Sequence, residues 1–144
     1  MNEEEYIKNR LDNQIDWYDR KSMKNQKSYK RLQLTAFFAA AAIPFLSGYI
    51  SADIKLIQII IGLLGFIIAV ITAVLSIYKF QENWIEYRTT CESLRHEKYL
   101  FLTKASPYDS GNPFTLFVQR IESLISKENS DWSQYIKLTK NDRE

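Results

Sequence analysis

Charge is missing from two long stretches of this chain, and nothing else in the sequence constrains its fold as strongly. Arg31 is followed by no charged residue until Asp53, and Lys55 by none until Lys79. The two gaps, 32–52 and 56–78, hold 21 and 23 residues. A helix needs about 20 mostly apolar residues to cross the hydrocarbon core of a bilayer. The second gap is built almost entirely of Ile, Leu, Val, Ala and Gly, with Gln58 as its one strongly polar residue. The first is weaker, because it carries Gln33, Thr35 and Pro44. The competing reading is a soluble bundle with two buried helices. A helix in a small soluble domain, however, keeps a wet face and rarely stays uncharged for this long.

Chain averages conceal the pattern. Charged residues make up 25% of the 144, and the net charge is +2. These figures, with a mean hydropathy of -0.29, describe an ordinary soluble protein. They exclude collagen and disordered polyelectrolytes, and the single cysteine excludes a disulfide scaffold. The predicted class is therefore an all-α membrane protein: a two-transmembrane helical hairpin with cytoplasmic helical extensions and a short C-terminal amphipathic helix. The whole is a single domain. It divides into a cytoplasmic N-terminal helix (1–31), transmembrane helix 1 (32–52) and an extracytoplasmic turn (53–55). Transmembrane helix 2 (56–78) follows, and a cytoplasmic helix (79–104) continues it, since 79–104 holds no Gly or Pro to stop it. A loop (105–112), an amphipathic helix (113–127) and a tail (128–144) complete the chain.

Basic residues set the expected orientation. Eight lie in 1–31 and ten in 79–144, against Lys55 alone in the turn. The positive-inside rule then places both termini in the cytoplasm. No cleaved signal peptide is expected, because the leading 31 residues are long and carry both charge signs. Between Arg20 and Arg31 there are six basic residues and no acid: Arg20, Lys21, Lys24, Lys27, Lys30 and Arg31. They suit contact with anionic lipid of the inner leaflet. They suit equally a role as topology determinants only. Pro44, inside the first span, is expected to kink that helix.

Apolar edges at helical spacing mark the extensions. Ile7, Leu11, Ile15 and Tyr18 form one. Phe80, Trp84, Tyr87, Cys91 and Leu94 form another, spaced four, three, four, three as in a coiled-coil seam, with Phe101 further along. Its partner is either the N-terminal helix or the same helix of another subunit. Trp84, Arg88 and Glu92 stand at i, i+4 and i+8, which lets Arg88 stack on the indole and pair with Glu92. Asn112 suits a helix N-cap before Pro113. Phe114, Phe117, Val118, Ile121, Leu124 and Ile125 then share one face, and Trp132 and Tyr135 are candidate anchors for the tail.

Chemistry-bearing motifs are few. None of the four glycines builds a phosphate-binding loop. His96 and Cys91, each the only residue of its type, lack the partners of a zinc site. No catalytic residue, metal or cofactor is expected, and Cys91 reads as a small apolar seam residue. The one specific pattern lies in the second span. Gln58, Gly62, Gly65, Ala69, Thr72 and Ser76 fall within an arc of about 80° on a helix turning about 100° per residue. Such a stripe of small and polar residues is either a close helix-packing face or the wall of an aqueous path. Two helices cannot enclose a path, so the second option requires an oligomer.

Trp17-Tyr18 with Lys21 and Lys24, then Ile43-Pro44, then Trp84, Tyr87-Arg88, Glu92, Leu94 and Glu97 make up a further pattern. The last run reads W-x-x-Y-R-x-x-x-E-x-L-x-x-E and is followed by Pro107-Tyr108. Over about residues 10 to 110 this layout resembles the SLATT superfamily, two-transmembrane domains associated with bacterial nucleotide-signalling and SLOG sensor systems. The likeness is strongest to its stand-alone branch of unknown function. The resemblance implies a pore-forming effector that damages the inner membrane, often in antiphage defence. With no sensor domain in these 144 residues, the trigger would come from a cytoplasmic sensor protein, a small ligand or the membrane.

The leading expectation is a homo-oligomeric channel or pore subunit of the bacterial inner membrane, in contact with lipid and its own copies and not with nucleic acid. The alternative is a non-conducting membrane adaptor that docks a cytoplasmic partner. A membrane-bound enzyme comes third.

Overall fold

The structure is a computed structural model that describes residues 2–48, 55–109 and 111–141, with side chains as far as Lys127. Every regular element among these residues is helical. Helix α1 (Glu3–Tyr6) leads through one turn of π-helix (Ile7–Leu11) into α2 (Asp12–Ser47). Then come α3 (Lys55–Tyr78), α4 (Phe80–Leu102) and α5 (Pro113–Asn141). The predicted turn at 53–55 falls largely outside the described residues, as do positions 49–52 at the end of the first predicted span.

Local sequence accounts for the helix starts. The Asn2 side chain accepts from the Glu5 backbone N–H at 2.8 Å, and Glu3, Glu4 and Glu5 place negative charge at the helix N-terminus. The π turn inserts one extra residue, so Tyr6 and Leu11, five apart, are both buried. Asn112 caps α5, its side-chain oxygen accepting from the Thr115 N–H at 3.3 Å, with Pro113 as the first helical residue.

Three boundaries differ from the sequence expectation. The helix following the second gap does not run on unbroken. Lys79, at φ 46°, separates α3 from α4 in a left-handed conformation that neither Gly nor Pro announces. Asn83 compensates: its side-chain amide donates to the Tyr78 carbonyl at 3.1 Å, and its backbone N–H to the Lys79 carbonyl at 3.0 Å. Helix α4 ends at Leu102 rather than 104, where Lys104 again takes a positive φ of 52°. Helix α5 extends to Asn141, whereas the sequence predicts a helix over 113–127 followed by a tail. Trp132 and Tyr135 lie in this extension, where side chains are outside the described set. Pro44 sits inside α2.

Two compact units divide the chain: a terminal unit of Met1–Ser22 with Ile85–Glu144, and a central unit of Met23–Trp84. The terminal unit holds a conventional core. Leu11, Ile15 and Tyr18 meet Cys91, Leu94 and Phe101, and Tyr108, Phe117, Ile121 and Ile125 close over them. Phe101 and Phe117 stack at 4.2 Å between centroids, with Tyr6 and Tyr108 edge-on to Phe117 at 6.2 and 5.8 Å. The seam of α4 thus packs, in the terminal unit, against the N-terminal helix of the same chain.

The central unit is built differently. Ala39 and Ile71 are its buried apolar residues. Each helical segment shields one face, Leu32, Ala36, Ala39, Ile43 and Leu46 on α2 and Ile57, Ile61, Leu64, Ile68, Ile71 and Leu75 on α3. Much of the rest of the two uncharged stretches is open apolar surface, including Phe37, Phe38, Phe45, Leu56, Ile59 and Phe66. Among the described residues, the stretch Lys55–Leu102 is long and apolar enough to cross a membrane, and 6% of its apolar window is buried. The first predicted span does not pass that test over its described part.

Candidate functional site

The stripe on α3 follows directly from the shielded face. Gln58, Gly62, Gly65, Ala69, Thr72 and Ser76 each stand one residue after a member of that face, about 100° around the helix. All six are exposed. A Cβ built on Gly62 or Gly65 would meet no atom within 4 Å. The stripe is therefore not the packing face of α3 within its own unit. Thr72 donates its hydroxyl to the Ile68 carbonyl at 2.9 Å, which satisfies the hydroxyl without water. The stripe's chemical character is a strip of exposed backbone flanked by one amide and two hydroxyls.

Charge clusters brace the terminal unit. Glu97, 6% exposed, takes two bonds from Arg120, at 3.0 Å from Nε and 2.6 Å from a terminal nitrogen, and a third from the Tyr108 hydroxyl. Glu122 accepts from Arg10 at 3.1 and 2.9 Å and from the Tyr6 hydroxyl at 2.9 Å. Both sets tie α5 to the rest of the unit. Lys98 pairs with Asp12 at 2.5 Å. Arg88 contacts Glu92 at 2.7 Å and Asp19 at 3.3 Å, and Arg95 contacts the same two carboxylates. The cation over the Trp84 ring is that of Lys30, at 5.9 Å, and Lys21 lies over Trp17 at 5.4 Å. Sequence spacing along α4 points to Arg88 with Trp84. It misses Glu97–Arg120 and Glu122–Arg10, because their partners lie 23 and 112 residues apart.

These contacts shift titrations in both directions. Burial alone would raise Glu97, but bonds from Arg120 and Tyr108 outweigh it and hold the carboxyl below its usual range. Hydrogen bonds from Arg10, and then Tyr6, overcome burial to do the same for Glu122. Burial and the neighbouring carboxylates push Tyr6 and Tyr108 up. A depressed carboxyl stabilises the fold above its unfolded pKa and loses that contribution as pH falls through the folded one. A raised phenol stabilises below about 10 and loses its contribution as pH rises beyond. The buried Cys91 thiol, also pushed up, adds a loss that begins near the unfolded thiol value of about 8.5, so the terminal unit should melt at a constant temperature between about pH 5 and 8 and at lower temperatures on both sides. Circular dichroism melts in neutral detergent across pH check this. A stability that still climbs on acidification below about pH 4 would contradict it.

Cys91 is fully buried, its thiol donates to the Ile15 carbonyl at 3.6 Å, and burial pushes it up. It is packed as a small apolar residue, not exposed as a nucleophile. Among the described residues no group of three His, Cys, Asp or Glu side chains stands ready to hold a metal. A cleft of about 650 Å³ opens between Glu3, Phe101, Lys104, Tyr108, Asp109 and Pro113.

A family model described as a protein of unknown function (DUF4231) matches residues 13–113. No curated protein and no solved structure matches the chain.

Proposed function

This chain belongs to the DUF4231 family of proteins of unknown function, and we propose that it is a membrane protein whose copies assemble into a channel or pore. One observation carries the reading: the exposed stripe from Gln58 to Ser76 on a helix whose other faces are apolar. In water, so much open apolar surface as Phe37, Phe38, Phe45, Ile59 and Phe66 would drive aggregation, whereas a bilayer accepts it. In lipid, Gly62 and Gly65 let a neighbouring backbone come close, and the Gln58 amide and Ser76 hydroxyl favour water over hydrocarbon. Both preferences are met when several copies gather with their stripes inward.

The finer reading is a SLATT-like effector of the bacterial inner membrane with both termini cytoplasmic. It rests on the Trp84, Tyr87-Arg88, Glu92, Leu94, Glu97 run and on the basic residues that flank both apolar stretches.

Reconstitution tests the proposal. Liposomes containing the purified chain should pass ions, and Thr72→Leu or Ser76→Leu should abolish or sharply reduce the flux. Phe66→Leu, on another open face of α3, should leave it unchanged. An oligomer that passes no ions sinks the pore and leaves the adaptor.

A further inference from the structure

We propose that Lys24, Lys27 and Arg31 form a recognition ridge for the phosphate of anionic phospholipids, selecting phosphatidylglycerol-type lipids over zwitterionic ones. The proposal rests on the membrane reading above and adds a lipid class to it. Three observations within the central unit carry it.

The first is placement on one face. At about 100° per residue, these three side chains fall within an arc of about 60° on α2. The arc lies about 140° from the shielded line of Tyr29, Leu32 and Ala36. A topology signal needs only the number of positive charges near a span and has no use for a shared face. A headgroup layer touching one side of a helix does.

The second is the absence of competition. All three residues are exposed, and no acidic residue occurs from Arg20 to Arg31. Among the described residues none of the three takes part in an ion pair, whereas Arg10, Arg88, Arg95, Lys98 and Arg120 all do. Lys30, off the ridge, is occupied by the Trp84 ring.

The third is depth. The ridge ends where the uncharged stretch of α2 begins. At the end of the uncharged stretch of α3, exposed Tyr78 stacks on Phe80 at 5.5 Å, and Trp84 follows. Amphipathic rings of this kind sit at headgroup level in membrane proteins. The rings mark the depth of the headgroup layer, and the cations at that depth supply the attraction to anionic headgroups.

The test uses the full chain in neutral detergent micelles doped with equal amounts of short-chain phosphatidylglycerol and phosphatidylcholine. The ratio of the two lipids retained by the protein is measured by mass spectrometry. The wild type should enrich phosphatidylglycerol. Each basic residue near an anionic surface is worth about a five-fold factor in partition, so Lys24→Gln/Lys27→Gln/Arg31→Gln should lower the enrichment by about a hundred-fold. Lys104→Gln, in the terminal unit, serves as the control and should leave it intact.

Equal retention of both lipids by the wild type overturns the assignment. So does an unchanged enrichment in the triple variant, or displacement of the lipid by a short RNA at matched charge. Circular dichroism of the triple variant guards against misfolding; Lys27→Gln alone should still give a several-fold loss. A chain recovered in the aqueous fraction without detergent defeats the membrane reading itself. A chain that needs detergent but shows no lipid preference defeats only the ridge.

Discussion

Phe117→Ala should cost the terminal unit about 3–5 kcal/mol, enough to remove much of the stability a unit of this size possesses. Phe117 is fully buried and sits where four rings converge: stacked on Phe101 at 4.2 Å, and edge-on to Tyr6 and Tyr108. Deleting it removes the transfer free energy of a large side chain and leaves a cavity whose walls come from α1, α4, α5 and the loop before α5. Those walls are held by the bonds of Glu97 and Glu122 and cannot easily collapse inward. Part of the loss is specific to the ring pairs, each worth about 0.5–1.5 kcal/mol beyond burial. Phe117→Leu retains most of the volume and should cost about half as much. Chemical denaturation in neutral detergent, followed by far-ultraviolet circular dichroism, reads both values. A loss under about 1 kcal/mol for the alanine variant would mean that the stack is not the centre of this core.

The helical class was legible because apolar residues recur at helical spacing. Leu11, Ile15 and Tyr18 stand out in the sequence, as do Cys91 and Leu94, and Phe117, Ile121 and Ile125; all eight are buried in the structure. What escaped the sequence depends on one residue or on distant ones. The break at Lys79 is a left-handed lysine whose neighbours carry no turn chemistry, and its one sign is Asn83, which bonds back across it. The π turn is visible only in hindsight, as the spacing of five between Tyr6 and Leu11. The stripe from Gln58 to Ser76 was readable as a periodicity, but periodicity cannot say which face of a helix its neighbours cover. The structure supplies that part, since the line from Ile57 to Leu75 is shielded and the stripe is exposed. The charge clusters show the same limit in another form. The spacing of Arg88 and Glu92 along α4 reveals an exposed pair worth a few tenths of a kcal/mol. Glu97 with Arg120, the buried set, joins two helices and leaves no local pattern.

That buried set makes the second large prediction, and the two partners should behave unequally. Arg120→Ala should be the more damaging change, by about 3 kcal/mol at neutral pH, because it leaves a buried carboxylate with the Tyr108 hydroxyl in place of its cation. Glu97→Ala should cost about 1–2 kcal/mol. It releases Arg120, whose side chain is already 46% exposed and can turn to water, and strands mainly the phenol of Tyr108. The difference carries a pH signature. With Arg120 present, Glu97 is held below its usual range. With Arg120 removed, burial becomes the dominant influence and raises that carboxyl above its unfolded value. A raised carboxyl makes the folded state take up a proton before the unfolded state does, so acidification stabilises the Arg120→Ala fold relative to its unfolded chain. The penalty of Arg120→Ala should therefore shrink between about pH 7 and pH 5, while that of Glu97→Ala should stay nearly constant over the same range. Paired melts of the two variants and the wild type at both pH values decide the matter. A penalty for Arg120→Ala that does not change with pH would show that Glu97 reaches water once its partner is gone, and that α5 is held by the Phe117 stack and not by charge.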